Sequence, residues 1–180
     1  MHDASDVDKL SKLYLFKSVP RRSLDELCAL APPVRFERRN EVFRQGAPAD
    51  VALLVIEGRL IASVAAASGD KQVGEIRAGE IVGEQSLFVP GGRRSATVTA
   101  AEPSACLLIS PDVIDHASHN PAVVAIEQFM LGTLARRIRG TNTAIQKVWK
   151  EAPTSEVEPT QPEKKAPTLR DRLASLFGGR

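Results

Sequence analysis

At 180 residues, with 43% hydrophobic and 26% charged side chains, the chain is long enough for one domain with a sizeable core plus extensions. Its net charge of +2 is too small to imply a nucleic-acid-binding surface by itself. The two cysteines, Cys28 and Cys106, stand far apart without a Cys-x-x-Cys, so structural zinc, iron–sulfur ligation and a disulfide framework all lack support.

In chain order, the first residues carry Asp3, Asp6 and Asp8 and do not read as a signal peptide. No run of about 18 apolar residues follows anywhere, so no membrane span and a cytoplasmic location are expected. Val7, Leu10, Leu13 and Phe16 recur at helical spacing and end near Ser18-Val19-Pro20. Ser23-Leu24-Asp25-Glu26 reads as a capping box with Ser23 as N-cap. The helix it opens stops at Pro32-Pro33, which assigns 1–33 to N-terminal helices.

The pattern then changes to short strands. Val34 to Arg38 alternates apolar and polar, and Val42-Phe43-Arg44 is a second candidate ended by Gly46. Val51 to Glu57 is a more continuous apolar run, broken by Gly58 and resumed from Leu60 to Ala67. Ser68-Gly69-Asp70 signals a hairpin, Val73 to Ile76 continues, and Ala78-Gly79-Glu80 turns again. Further strands are expected at 94–101 and 105–110, separated by Glu102-Pro103-Ser104. Strands this short with turns this frequent predict a β-sandwich or barrel over 34–120. Gly58, Gly79 and Gly83 are candidates for sharp bends or positive φ.

Helical signals return at Asp112, and a long helix is predicted over 121–150, with Asn120 as cap and Pro121 at its first position. Leu131, Leu134, Ile138, Thr141, Ile145 and Val148 fall at alternating spacings of three and four. That is a heptad seam fit for a parallel two-helix contact, although a helix packing on its own sheet shows a similar stripe. His116 and His119 are three apart and could share a helix face as a metal pair, or simply be surface histidines. From 151 to 168 the composition shifts to Pro, Glu, Thr, Ser and Lys, as in a disordered linker. Within 169–180, Leu169, Leu173, Leu176 and Phe177 share one helical face. This segment is either a short amphipathic helix that docks an unknown protein partner through 169–177, or a frayed tail.

The most informative segment is 83–98, from Gly83-Glu84 through a Pro90-Gly91-Gly92 turn to Arg94-Ser95-Ala96-Thr97-Val98. A guanidinium presents a planar fork of donors to phosphate oxygens. A carboxylate is acceptor-only and suits a sugar hydroxyl. Backbone N–H groups in a tight loop can nest a remaining anionic oxygen. Residue chemistry alone also allows Glu84 and Arg94 to be a solvated ion pair.

This segment resembles the phosphate-binding cassette of the cyclic nucleotide-binding domain in the catabolite activator (cAMP receptor) protein family. The likeness covers about residues 10 to 150, without that family's helix-turn-helix domain. It implies a mainly β fold with flanking helices: a β-jelly-roll (double-sheet roll) followed by a long C-terminal dimerisation helix. It implies that Glu84 accepts from the ribose 2′-hydroxyl and that Arg94 pairs with the cyclic phosphate. Ser95 and the Gly83 backbone add hydrogen bonds, with Gln85, Ser86 and Ala96 in the same cassette. Leu134-Ala135-Arg136-Arg137-Ile138 is similar to the family's helix, and Thr141-Asn142 match the pair that touches adenine, Asn142 from the partner chain. Gln85 stands where the family carries an apolar residue, and Asn142 where it carries serine.

The expected function is a regulatory module that binds a cyclic nucleotide, cAMP or else cGMP, and signals through its long helix and its tail. The alternative is a ligand-free β-roll scaffold or adaptor acting through the tail. An enzyme is not expected, since no nucleophile–base or metal constellation is evident. A DNA reader is not expected either, because no two-helix motif with a turn follows the long helix.

Overall fold

The structure, a computed structural model, describes residues 4–67, 69–89 and 91–151. The chain divides into two compact units, one up to Ile138 and one from Arg139. Two helices, α1 (Ala4–Lys12) and α2 (Arg21–Leu30), precede eight strands. These are β1 (Pro33–Phe36), β2 (Glu41–Phe43), β3 (Ala52–Glu57), β4 (Arg59–Val64), β5 (Lys71–Arg77), β6 (Ile81–Val82), β7 (Thr97–Ala100) and β8 (Ser104–Ile109). Then come α3 (Pro111–His116) and α4 (Pro121–Glu151). Glu151, expected to open the linker 151–168, ends α4 instead, and the rest of that linker and the segment 169–180 lie outside the described residues.

All pairings are antiparallel, in two four-stranded sheets ordered β1-β8-β3-β6 and β2-β7-β4-β5. This is the jelly-roll expected from the sequence. The continuous apolar run at 51–57 now has its reason, because β3 is buried on both faces. Leu53 and Val55 point between the sheets, beside Leu60, Val98 and Cys106. Ala52, Leu54 and Ile56 point the other way, onto Leu10, Leu24, Leu27, Ile126 and Met130 of the helices. β8 divides in the same manner, with Cys106 inside the roll and Leu107 and Ile109 under the helices. Each leucine, isoleucine, valine or methionine among them contributes about 1.5–3 kcal/mol by leaving water. Gly58 alone joins β3 to β4 and hands the chain from one sheet to the other. Its φ is 87°, and a Cβ there would collide with Pro103 and Ser104.

Two N-terminal details differ from the sequence expectation. The first helix stops at Lys12, and Tyr14–Phe16 form a 3-10 turn that carries Phe16 into the core. Ser23 is not an N-cap: α2 begins at Arg21 behind Pro20, and Ser23 is buried inside the helix. Pro20, fixed at φ −60°, sets the entry by ring geometry, so no side-chain cap is used. Glu26, expected to reach back to that cap, pairs with Arg22 at 3.0 Å and accepts from Asn120 Nδ2 at 3.1 Å. β6 went unpredicted because two residues are too few to display alternation.

Of the later caps, that of the long helix was expected from the sequence and that of α3 was not. The Ser110 side chain accepts from the Val113 N–H at the start of α3. Asn120 Oδ1 accepts from the Ala122 N–H at 2.7 Å, with Pro121 at the first position of α4. α4 buries Ala122, Val123, Ile126 and Met130, whereas Leu131, Ile138, Ile145, Val148 and Trp149 are exposed. No described helix is long and apolar enough to cross a membrane. His116 and His119 are both exposed.

Candidate functional site

Between β6 and β7 the chain does not run straight from one sheet to the other. Gly83 takes the left-handed conformation, φ 79°, and opens a 3-10 turn over Glu84–Leu87. The Ser86 hydroxyl donates to the Gly83 carbonyl at 2.7 Å and holds that turn. Ser86 therefore acts on the loop itself. Its neighbour Glu84 is turned inward and is only 6% exposed, unusual for a carboxylate.

The other end of the cassette is stitched to the loop after β2. Arg94 N–H donates to the Ala47 carbonyl at 2.9 Å, and Gly46 N–H donates to the Arg94 carbonyl at 2.8 Å. With its backbone pinned, Arg94 is aimed inward and is 7% exposed. Its guanidinium lies over the Phe43 ring, 3.6 Å from the centroid. A Cβ on Gly83 would overlap Arg94 Nη1, so glycine is required there for space as well as for φ. Nη1 is buried without a hydrogen-bond partner. Asp50 is 3.6 Å from Nη2, but its side chain is 82% exposed. Burial lowers the pKa of Arg94, and Asp50 offsets this in part.

These groups wall a cavity of about 320 Å³. Gly83, Glu84, Gln85, Ser86, Arg94, Ser95 and Ala96, all expected from the sequence, line it together. Its remaining wall includes the apolar Phe43, Ala62, Val73, Ile76 and Val98 and the charged Glu75, Arg93 and Arg137, so charged and apolar groups line one cavity. That combination suits a ligand with an anionic group, a hydroxyl and a flat apolar body. Thr141 and Asn142 are exposed on α4, in the unit that starts at Arg139.

Sequence reasoning missed three participants. Arg137, on α4, donates to the Glu84 carboxylate. It lies four residues before Thr141 and thus on the same helix face, so a signal for it was present. Arg93 lines the cavity and donates to the Gly46 carbonyl at 2.8 Å. Phe43 gave no signal, since its meeting with Arg94 joins residues from different strands' neighbourhoods.

Comparison with known proteins bears on the domain and the fold. The family described as cyclic nucleotide-binding domain matches residues 33–119. The CRP-like cAMP-activated global transcriptional regulator of Mycobacterium tuberculosis is 29% identical over 134 residues, 74% of this chain and 58% of that protein. The chain thus spans little more than half the length of that relative. The N-terminal domain of a transcriptional regulator from Streptomyces coelicolor A3(2) superposes with a TM-score of 0.57 at 29% identity, covering 77% of this chain and 95% of the other. The catabolite activator protein of Thermus thermophilus shares the fold, with a TM-score of 0.63 at 23% identity over 74% of this chain and 62% of its own. Residues 33–119 thus match the cyclic nucleotide-binding domain, the family that the cassette resembles.

Proposed function

We propose that the chain is a cAMP sensor whose ligand spans the cavity from Arg94 to Glu84 and whose occupancy is relayed through α4. The observation that carries this reading is the buried Arg94 Nη1, a charged donor without a protein partner. Such a donor is costly unless an anion satisfies it. The cyclic phosphate supplies that anion, with Ser95 and backbone N–H groups donating to its other oxygens. The ribose 2′-hydroxyl donates to Glu84.

Glu84 already accepts from Arg137, so the ribose meets the helix at that carboxylate. A ligand that alters this contact favours one helix arrangement over another by its differential affinity. The exposed stripe of Leu131, Ile138, Ile145 and Val148 supports a parallel homodimer. In that dimer Thr141 would touch adenine and Asn142 would reach in from the other copy. The C-terminal segment 169–177 would carry the signal to a protein partner. Adenine is favoured because the Mycobacterium tuberculosis relative is named as cAMP-activated. On this reading the protein is cytoplasmic, neither hydrolyses its ligand nor binds DNA, and acts by binding alone.

The competing reading is a ligand-free scaffold acting through its tail, and Arg137 seated on Glu84 favours it. Calorimetric titration against cAMP, cGMP, a cyclic dinucleotide and 5′-AMP decides between them. Saturable heat with cAMP supports the sensor, preference for cGMP corrects the ligand, and no heat with any of them rejects it.

A further inference from the structure

We propose that Phe43 is a positioning residue of the anion site: its ring face holds the Arg94 guanidinium so that the donor-bearing edge stays free for a phosphate. This rests on the nucleotide-binding reading and deepens it.

The guanidinium carbon of Arg94 lies 3.6 Å from the Phe43 centroid, well inside cation–π range. All five guanidinium donors lie in its plane, so a contact with its face consumes none of them. Nη1 accordingly remains without a partner although it is buried. Asp50, at 3.6 Å from Nη2 and largely solvated, is too distant to take up the donors. A carboxylate in the place of Phe43 would hold the arginine but compete with the ligand. An aliphatic side chain would bury the charge with no attraction to it. The aromatic face attracts the cation and leaves its edge open.

The fold arranges this contact by a local irregularity. β2 pairs Glu41 with Thr99 and Phe43 with Val98, so the register shifts by a bulge between them. Consecutive strand residues ordinarily point to opposite faces. Here Val42 and Phe43 both pack against the interior of the roll. The bulge therefore re-aims one ring that a regular strand would send outward. Gly83 crowds the same place, since a Cβ there would approach the Phe43 ring as well as Nη1.

The test compares Phe43→Leu with Phe43→Tyr in the full chain. cAMP affinity is read by calorimetry, and the Arg94 Nε–H proton shift by NMR without ligand. The leucine variant is expected to bind cAMP roughly tenfold more weakly and to lose the upfield ring-current shift of that proton. The tyrosine variant, which keeps the aromatic face, should retain both within about threefold of the parent affinity. Unchanged affinity in Phe43→Leu, or an equal loss in Phe43→Tyr, overturns the proposal. If Phe43→Leu does not fold, Phe43→Met takes its place under the same criteria. Arg94→Ala is measured alongside: full cAMP affinity in that variant would overturn the nucleotide reading itself, whereas its loss beside an unaffected Phe43→Leu overturns only the role of Phe43.

Discussion

Arg137 donates to the buried carboxylate of Glu84, which ties the long helix to the cassette across 53 positions of sequence. The Glu84 side chain is 7% exposed and that of Arg137 is 58% exposed. The carboxylate is thus enclosed by the roll, and the arginine is the solvent-facing member. On the proposed reading, a ribose at Glu84 would share that one acceptor with α4.

Arg94→Ala should remove most cAMP affinity, because a desolvated charge-assisted contact is worth on the order of 2–5 kcal/mol. Removing a buried guanidinium with an unpartnered donor should leave the melting temperature unchanged or raise it. Calorimetry and a thermal melt on the same preparation check both halves. A large fall in melting temperature would mean that Arg94 is structural.

Glu84→Ala should weaken binding of cAMP more than of its 2′-deoxy analogue, since only the ribose hydroxyl donates to the carboxylate. Arg137→Ala should instead destabilise the ligand-free protein by about 1–2 kcal/mol, because it strips a buried acceptor of its donor. Paired titrations and denaturant melts separate the two effects. Equal losses for both ligands would remove Glu84 from the role of ribose acceptor.

Gly83→Ala should cost at least about 1–2 kcal/mol, the penalty for a side chain in the left-handed region. It should also abolish cAMP binding, because the new Cβ displaces Arg94 Nη1. A denaturant melt and a titration on the variant read the two losses. Retained affinity would mean that the arginine has another way into the cavity.

Ile138→Lys should yield a monomer with weaker cAMP binding. It would place like charges opposite each other in a desolvated contact. Light scattering and titration of one sample decide this, and the chain's single tryptophan, Trp149, exposed on α4, offers a fluorescence readout of association. A variant that stays dimeric, or a parent that is monomeric with and without cAMP, rejects the seam. A monomer with full affinity rejects only its coupling to the base.

Burial pushes the Cys28 thiol up to about 11 and the Cys106 thiol up to about 12, from an ordinary 9.0. At pH 8 both should resist a thiol-specific disulfide reagent until denaturant is added. As pH rises through 9, the unfolded chain loses protons that the folded chain keeps, so stability should fall between pH 9 and about 11–12. Rapid labelling without denaturant, or a melting temperature that climbs over that range, would contradict this.

Local patterning and runs of adjacent residues sufficed for the strand succession apart from β6, for the Asn120 cap and for the cassette segment from Gly83 to Val98. The sequence also yielded seven of the cassette residues that line the cavity, though not Arg93. It misjudged Ser23 because the capping pattern reads the same with or without Pro20 setting the helix start. Packing between elements was needed to show that β3 and β8 are buried on both faces, that Arg137 closes on Glu84, and that a bulge turns Phe43 under Arg94. Those contacts join residues distant in sequence, and their partners are chosen by how two sheets and a helix pack together. Neither side-chain period nor composition carries that choice, because both describe one element at a time.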